Sequence, residues 1–279
     1  MFAFDRNRFF GDFTARTRLP LTPMRQAALE HLLDCFVGDA SFTMLRQLAY
    51  VLATIRWETA HTFLPVEERR ASPERQPALH RRQSQYWGFH GRGYVQLTWQ
   101  ANYLRAGREL AGREYDVGGR TVQVTPTLFV EEPALVKDPR ISYDIAALGM
   151  RKGWFTGRKL GDYVREGAAP DYVNARRVIN GLDCAQDIAA LADQFELLLR
   201  GAAVEAPALR RARRQAGAKG VRRGAKRPPR RALATRVTVL PSKPKPRPSA
   251  KGAKRAGVRR KAAGRGVRRS AKGRGRVSG

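Results

Sequence analysis

Apolar side chains recur at helical spacing through much of residues 1–204, and four segments show this period clearly. The first begins at Thr22, an N-cap residue followed by Pro23, and runs to Phe36. The second is a stripe over about three turns, formed by Leu45, Leu48, Val51, Leu52 and Ile55. A third helix is predicted over 141–154 with Ser142 as its cap. A fourth follows residue 183, with one apolar face formed by Ile188, Leu191, Phe195, Leu198 and Leu199.

Signals for β-structure are short and few. One is the alternation around residues 95–97, and the other is GGRTVQVTP at 118–126, which is typical of a hairpin. The pattern therefore predicts a mainly α fold of the α+β kind, with a small β element.

Charge divides the chain into two parts near residue 204. Residues 1–204 contain 27 basic and 23 acidic residues, an excess of four positive charges. Residues 205–279 contain 27 basic residues and one acidic residue, with few large apolar side chains. Such a composition does not bury enough apolar surface to offset the entropy of ordering. We expect one folded domain over 1–204 and a disordered basic tail over 205–279.

Several classes of protein are disfavoured by what the sequence contains. The first residues, MFAFDRNRFFGDF, include no continuous apolar region typical of a signal peptide, and no run is long enough to span a membrane. We therefore expect a protein made in the cytoplasm, and a monomer. Cys35 and Cys184 are expected to be free thiols. The four histidines lack metal-ligand spacing, so we expect no metal and no cofactor.

Carboxylates follow the second helical stripe. Glu58 comes three residues after Ile55 and seven after Val51, which puts its carboxyl at the edge of the apolar face. Partial desolvation favours the protonated form of a carboxyl, as a general acid requires. Glu67 and Glu68 follow Pro65 in a polar, arginine-flanked segment, which we predict to be a mobile loop with ionised carboxylates. One protonated and one ionised carboxylate form the pair used in glycosidic hydrolysis, but a helix-end glutamate and a solvated Glu-Glu-Arg-Arg loop are equally ordinary features.

Three segments, in this order, resemble glycoside hydrolase family 19, which includes chitinases and related phage and bacterial endolysins. They are ATIRWETAHTFLPVEE, GRGYVQLTWQANY and DYVNARRVINGLD. The resemblance to the bacterial and phage branch extends over roughly residues 20–200. It implies a lysozyme-like fold with two lobes around a long sugar-binding cleft.

The resemblance implies roles for the two carboxylates. Glu58 matches the general acid of the family and Glu68 the general base, although Glu67 stays an alternative base. Family members of this type invert the anomeric centre, with the carboxyls about 6.5–9.5 Å apart. Two residues depart from the family pattern, since Trp57 replaces a histidine and Ala60 replaces a glycine.

The segment YWGFHGRGYVQLTWQANY places three glycines beside an aromatic and polar array. We expect these glycines to let the backbone pass close to a polysaccharide. In a strand, Tyr94, Gln96 and Thr98 would share one face. By resemblance, Gln96 and Thr98 bind sugar and hold the attacking water. The substrate-binding residues expected on these grounds are Tyr94, Gln96, Thr98, Asn102, Arg177 and Asn180. Ordinary alternatives are a half-buried strand for the first three, a solvated helix residue for Arg177 and a turn residue for Asn180.

The function expected is an inverting glycosidase that cleaves β-1,4 bonds in N-acetylglucosamine-containing polysaccharide, with peptidoglycan as first substrate and chitin second. It would reach the wall through a holin, a specialised secretion system or lysis. The alternative is a catalytically weak carbohydrate-binding domain that carries a polyanion-binding tail. The tail would bind an anionic envelope polymer or nucleic acid through residues 205–279, with the envelope slightly favoured.

Overall fold

The computed structural model describes residues 2–204, and it confirms a mainly helical fold. The helices are α1 (Arg6–Thr17), α2 (Pro23–Gly38), α3 (Leu45–Glu58), α4 (Pro77–Ser84), α5 (Gln100–Leu110), α6 (Leu128–Glu131), α7 (Pro139–Lys152), α8 (Tyr172–Ala175) and α9 (Ala185–Ala202). The strands are β1 (Ala3–Phe4), β2 (Val66–Glu67), β3 (Arg92–Gly93), β4 (Glu114–Val117), β5 (Arg120–Gln123) and β6 (Ala203–Val204). Short 3-10 helices cover Pro133–Lys137, Leu160–Asp162 and Arg176–Val178. The predicted basic tail, 205–279, lies outside the described residues.

The predicted helices correspond to α2, α3, α7 and α9. The cap at the start of α2 is as predicted, because the Thr22 side chain accepts a hydrogen bond from the Arg25 N–H. The predicted cap of α7 is wrong. Asp138 caps this helix through the N–H groups of Arg140 and Ile141, whereas Ser142 lies inside the helix and is buried.

The core of the described domain is centred on α3. All nine residues from Leu48 to Arg56 are buried, so this helix is enclosed on every side rather than on one face. Its main neighbour is α9, which also packs against α1. Strands β1 and β6 pair antiparallel, Ala3 with Val204 and Phe4 with Ala203, and join the two ends of the described chain. A helix so enclosed presents its last residue, Glu58, from a rigid support.

The β-structure agrees with one prediction and contradicts the other. Strands β4 and β5 form the predicted hairpin, with Gly118 and Gly119 at φ +61° and +82° in its turn. Of the predicted strand at residues 95–97, Val95 and Gln96 lie in a turn, with Gln96 at φ +52°, and Leu97 forms only an isolated antiparallel bridge with Arg92. Instead, β3 ends at Gly93 and pairs with β2. Among residues 2–204, no helix has the length and apolar character needed to cross a membrane.

Candidate active site

A cleft of about 620 Å³ brings together the two candidate catalytic carboxylates. It is lined by Glu58, Glu68, Arg82, Tyr86, Gly91, Val95, Gln96, Thr98, Trp99, Ile179 and Asn180. Five of the eight residues predicted from the sequence are therefore in one concavity, contributed by three separate parts of the chain. Tyr94, Asn102 and Arg177 are not in its lining.

Glu58 is the last residue of α3 and is held by an arginine distant in sequence. Nη1 of Arg176 donates to Oε1 of Glu58 at 2.6 Å, and Nε of Arg176 donates to the Asp183 carbonyl at 3.1 Å. The Arg176 side chain is 5% exposed and that of Glu58 is 18% exposed. A guanidinium this buried has little freedom to move, so it fixes the orientation of the carboxyl group.

Arg176, rather than the adjacent Arg177 that was predicted to bind substrate, contacts the carboxylate of Glu58. Arg177 is exposed, and its Nε donates to Asn174 rather than to a cleft carboxylate. Arg176 and Arg177 lie in a single 3-10 turn, where neighbouring side chains diverge and only one points inward. The apolar pattern offers a usable signal, since Ala175 and Val178 on either side of the pair are buried.

Glu68 is surrounded by hydrogen-bond donors. Its Oε1 accepts from Gln83 Nε2 and from the Tyr86 hydroxyl, each at 2.9 Å, and its Oε2 accepts from the Gly91 N–H at 3.0 Å. Partial burial opposes ionisation, but the bonds from Gln83, Gly91 and Tyr86 outweigh it and hold the pKa of Glu68 below its ordinary value. The carboxylate is therefore ionised at neutral pH and oriented within the cleft.

Glu67 has different surroundings from its neighbour. Lys137 and Arg92 form ion pairs with it, and His90 Nε2 lies 2.8 Å from its Oε1. The Lys137 hydrogen bond is the largest cause that lowers the pKa of Glu67 to about 2. Glu67 is in β2, paired with Arg92 of β3, so it is not in the predicted loop, whereas Glu68 follows the strand in a segment without regular structure. Glu67 therefore contacts three basic side chains and is not among the residues that line the cleft.

Arg92, in the middle of the Gly-Arg-Gly sequence, connects Glu67 to the 86–99 segment. It is 8% exposed and donates from Nε to Glu67, and from Nη1 to the Gly88 carbonyl and the Tyr103 hydroxyl. Sequence reasoning missed this role. The arginine therefore ties the loop, β2 and α5 together beneath the cleft.

Two of the three glycines in this segment lie against other parts of the protein, whereas a Cβ on Gly88 would meet nothing within 4 Å. A Cβ on Gly93, which has φ +84°, would lie 2.6 Å from Ser142 Oγ and 3.0 Å from the Val136 carbonyl. A Cβ on Gly91 would lie 2.7 Å from Gln96 Oε1. Gly91 lines the cleft. Gly93 instead lies against Ser142 of α7 and the Val136 carbonyl, so the close approach there is made by the protein itself.

Tyr94 was predicted to bind sugar, but it lies in the core and not in the cleft lining. Its side chain is 1% exposed in the core, and its N–H donates to Ser142 Oγ at 2.6 Å. The expectation failed because it relied on strand alternation, whereas this segment turns at Gln96. Asn102 likewise bonds within the protein, donating through Nδ2 to the Thr98 carbonyl at 2.8 Å in the first turn of α5.

Gln96 and Thr98 are both half-buried in the cleft wall. Gln96 Nε2 donates to the Val66 carbonyl at 3.2 Å, and Thr98 Oγ1 donates to the Gln96 carbonyl at 2.8 Å. These bonds fix both side chains and leave the side-chain amide oxygen of Gln96, Oε1, as an acceptor. Asn180 also lines the cleft, and its side chain is exposed.

Aromatic residues complete the wall. Trp99 is 48% exposed, has φ +75°, and meets the ring of Tyr86 edge-on at a centroid distance of 5.1 Å. Exposed aromatic faces of this kind suit apolar ligand surfaces. Trp99 therefore lies in the cleft wall.

The two departures from the family pattern have clear structural settings. Trp57 is half-buried against the core, and its ring meets that of His61 edge-on at 6.3 Å. Ala60 has φ +48°, in the left-handed region where glycine is favoured. Neither residue lines the cleft.

Other features lie outside this cleft. A smaller concavity of about 200 Å³ is lined by residues including Arg113, Arg140 and Asp144, and contains none of the predicted site residues. Within residues 2–204, no group of three or more histidine, cysteine, aspartate or glutamate side chains is arranged to hold a metal ion. Cys35 is buried, Cys184 is exposed, and both are free thiols as predicted.

No protein-family model and no curated protein matches this sequence. Among solved structures, the chain is similar to chitinase C from Streptomyces griseus, with 19% identity, a TM-score of 0.38, and coverage of 70% of this chain and 92% of that chain. A mutant of chitinase C has 17% identity, a TM-score of 0.37 and the same coverage. The case for a function therefore depends on the residues of the cleft.

Proposed function

We propose that this protein is a glycoside hydrolase of the family 19 kind, which cleaves β-1,4 bonds in polysaccharides that contain N-acetylglucosamine. Peptidoglycan is the first substrate proposed and chitin the second. The observation that carries the proposal is that Glu58 and Glu68 line one cleft but have opposite kinds of partner. Glu58 forms an ion pair with a buried arginine. Glu68 accepts hydrogen bonds from neutral donors and forms no ion pair within residues 2–204.

Glu58 is proposed as the general acid: it forms an ion pair with Arg176 in the free protein and takes up its proton once a glycan fills the cleft and excludes water. Arg176 contacts its Oε1, so Oε2 is the oxygen that would carry the proton to the leaving glycosidic oxygen. As this proton departs, negative charge develops on Glu58. The guanidinium is already in position to stabilise that charge without reorganisation.

Glu68 is proposed as the general base. Its hydrogen bonds favour the ionised carboxylate, which is the form that can accept a proton from water at neutral pH, and they hold it in place. That water would attack the anomeric carbon on the face opposite the leaving group and invert the configuration. Gln96 and Thr98, which line the same cleft as Glu68, are proposed to position the water and the sugar, and Asn180 to contact the sugar.

Replacement of each carboxylate tests this assignment. We expect Glu58→Gln and Glu68→Gln in the full-length protein to lower turnover of glycol chitin and purified peptidoglycan by about 10²–10⁴-fold. Glu67→Gln is a matched control, because it changes the adjacent carboxylate that is outside the cleft lining, and we expect a much smaller loss. Mass spectrometry of the fragments identifies the bond that is cleaved. Wild-type activity in both cleft variants would refute the assignment and favour the carbohydrate-binding alternative.

The wall substrate also sets a requirement for location. We propose that the enzyme acts at the cell wall after holin-type, specialised or lytic release, and that residues 205–279 assist by binding an anionic envelope polymer. Fractionation of producing cells and binding of full-length protein to isolated envelopes test these two points.

A further inference from the structure

The net positive charge of residues 1–204 is concentrated beside the cleft. Between residues 69 and 82 the chain has five arginines and a single acidic residue, Glu74, an excess of four charges. This excess equals that of all of residues 1–204, so the remainder of that part is balanced. We name the five residues the arginine patch: Arg69, Arg70, Arg75, Arg81 and Arg82.

All five side chains of the arginine patch are exposed, and none forms an ion pair with a carboxylate in residues 2–204. Glu74, the acidic residue among them, accepts instead from the Ser72 hydroxyl at 2.6 Å. Glu67 and Glu68, immediately before the patch, are occupied by other donors. The positive potential of this surface is therefore not neutralised locally.

The arginine patch is continuous with the cleft. Arg82 is one of the cleft-lining residues, together with Glu58, Glu68 and Tyr86. Arg70 is held in place, because its guanidinium lies 4.8 Å from the centroid of the Trp87 ring and its Nη2 donates to Ser84 Oγ at 3.2 Å. A planar guanidinium fixed in this way is suited to bind a carboxylate through two parallel hydrogen bonds.

We propose that the arginine patch binds carboxylate groups on the glycan strand that occupies the cleft. The inference rests on the proposed function and names its substrate class, a β-1,4 glycan with acidic substituents such as the lactyl-peptide groups of peptidoglycan. A neutral N-acetylglucosamine polymer gains nothing from unneutralised arginines next to the cleft. A strand with a carboxylate on each disaccharide presents charges at regular intervals outside the cleft, where these arginines lie.

The test compares two triple variants of the full-length protein, so that the basic tail is the same in both. Arg69→Gln/Arg75→Gln/Arg81→Gln removes three patch charges and leaves the cleft residue Arg82 intact. Arg108→Gln/Arg158→Gln/Arg165→Gln removes three other exposed arginines outside the patch. The substrates are soluble peptidoglycan strands and the same strands with their carboxyls converted to amides. The readout is the ratio of kcat/KM for the charged strand to that for the amidated strand.

We expect the patch variant to lower this ratio about tenfold, since three exposed charge contacts each contribute a fraction of 1 kcal/mol. The effect should fade at about 0.5 M salt. The control triple should leave the ratio within about twofold of wild type. An unchanged ratio in the patch variant, or an equal fall in the control, overturns the proposal.

A binding measurement separates this inference from the proposed function. Fluorescence anisotropy with labelled charged and amidated strands reports the patch even if no strand is cleaved. Loss of preference for the charged strand in the patch variant supports the proposal, whether or not the protein is a hydrolase. A patch variant that loses affinity for duplex DNA but keeps its preference for charged glycan would overturn it in favour of a nucleic-acid surface.

Discussion

Replacement of Arg176 with methionine probes the contact that orients the proposed acid. Methionine keeps a long apolar side chain but leaves the Glu58 carboxylate, 18% exposed, without its cationic partner. It also removes the bond from Arg176 Nε to the Asp183 carbonyl. Removing one member of a buried ion pair destabilises proteins by about 3–5 kcal/mol, since a charge is left buried and uncompensated.

Urea unfolding of the full-length protein measures this loss. A second variant, Arg176→Met/Glu58→Gln, removes both charges and therefore leaves no unpaired carboxylate. We expect the Arg176→Met change to cost at least about 1 kcal/mol less in the Glu58→Gln background than in wild type. Additive effects, with coupling below about 0.5 kcal/mol, would refute the idea that Arg176 acts through Glu58. A glycol chitin assay should show lower kcat for Arg176→Met, with KM changed far less.

Three further predictions concern the surroundings of the site. Tyr86→Phe removes a hydrogen-bond donor to Glu68, so the pKa of this carboxyl should rise toward its ordinary value. The acid limb of the pH profile of kcat/KM should then move to higher pH. An acid limb that does not move would contradict the role of Glu68 as base. Lys137→Met removes the main cause of the low pKa of Glu67. The ionised Glu67 stabilises the folded protein above pH 4.5, the ordinary pKa of this group, and that stabilisation is lost as the pH falls toward about 2. Urea midpoints of wild type and Lys137→Met should therefore differ by a constant amount above about pH 5 and converge in acid, and a gap that is independent of pH would count against this. Ala60 has a left-handed backbone at φ +48°, a conformation that glycine adopts without strain. Ala60→Gly should therefore raise the free energy of unfolding by about 0.5–1 kcal/mol in a thermal melt, after the greater entropy of glycine in the unfolded chain is deducted. A lower free energy of unfolding would show that this φ is not strained.

Helices and caps were within reach of the sequence because they depend on neighbours a few residues away. The apolar stripes of α2, α3 and α9 follow from periodicity, and the Thr22 cap follows from its side-chain chemistry. Ser142 shows where such local reasoning ends. Its hydroxyl accepts from the Tyr94 N–H, 48 residues earlier, and no pattern within α7 indicates that contact.

The candidate site likewise combines features that local sequence predicts with contacts that depend on distant segments. The sequence by itself determined that Glu58 ends a buried helix and that Glu68 precedes a glycine-rich segment, which the family resemblance joined into a pair. Only the tertiary structure decided that Arg176 rather than Arg177 meets Glu58, across 118 residues, and that Glu67 is tied to Lys137, across 70. The tertiary structure also places the Tyr94 side chain in the core. The turn at Gln96 breaks the alternation of side-chain directions that a strand would have, so Tyr94, Gln96 and Thr98 do not share one face. Local spacing fixes which side chains can share a face, whereas the pairing of buried charges and the placing of a turn depend on which distant segments pack together.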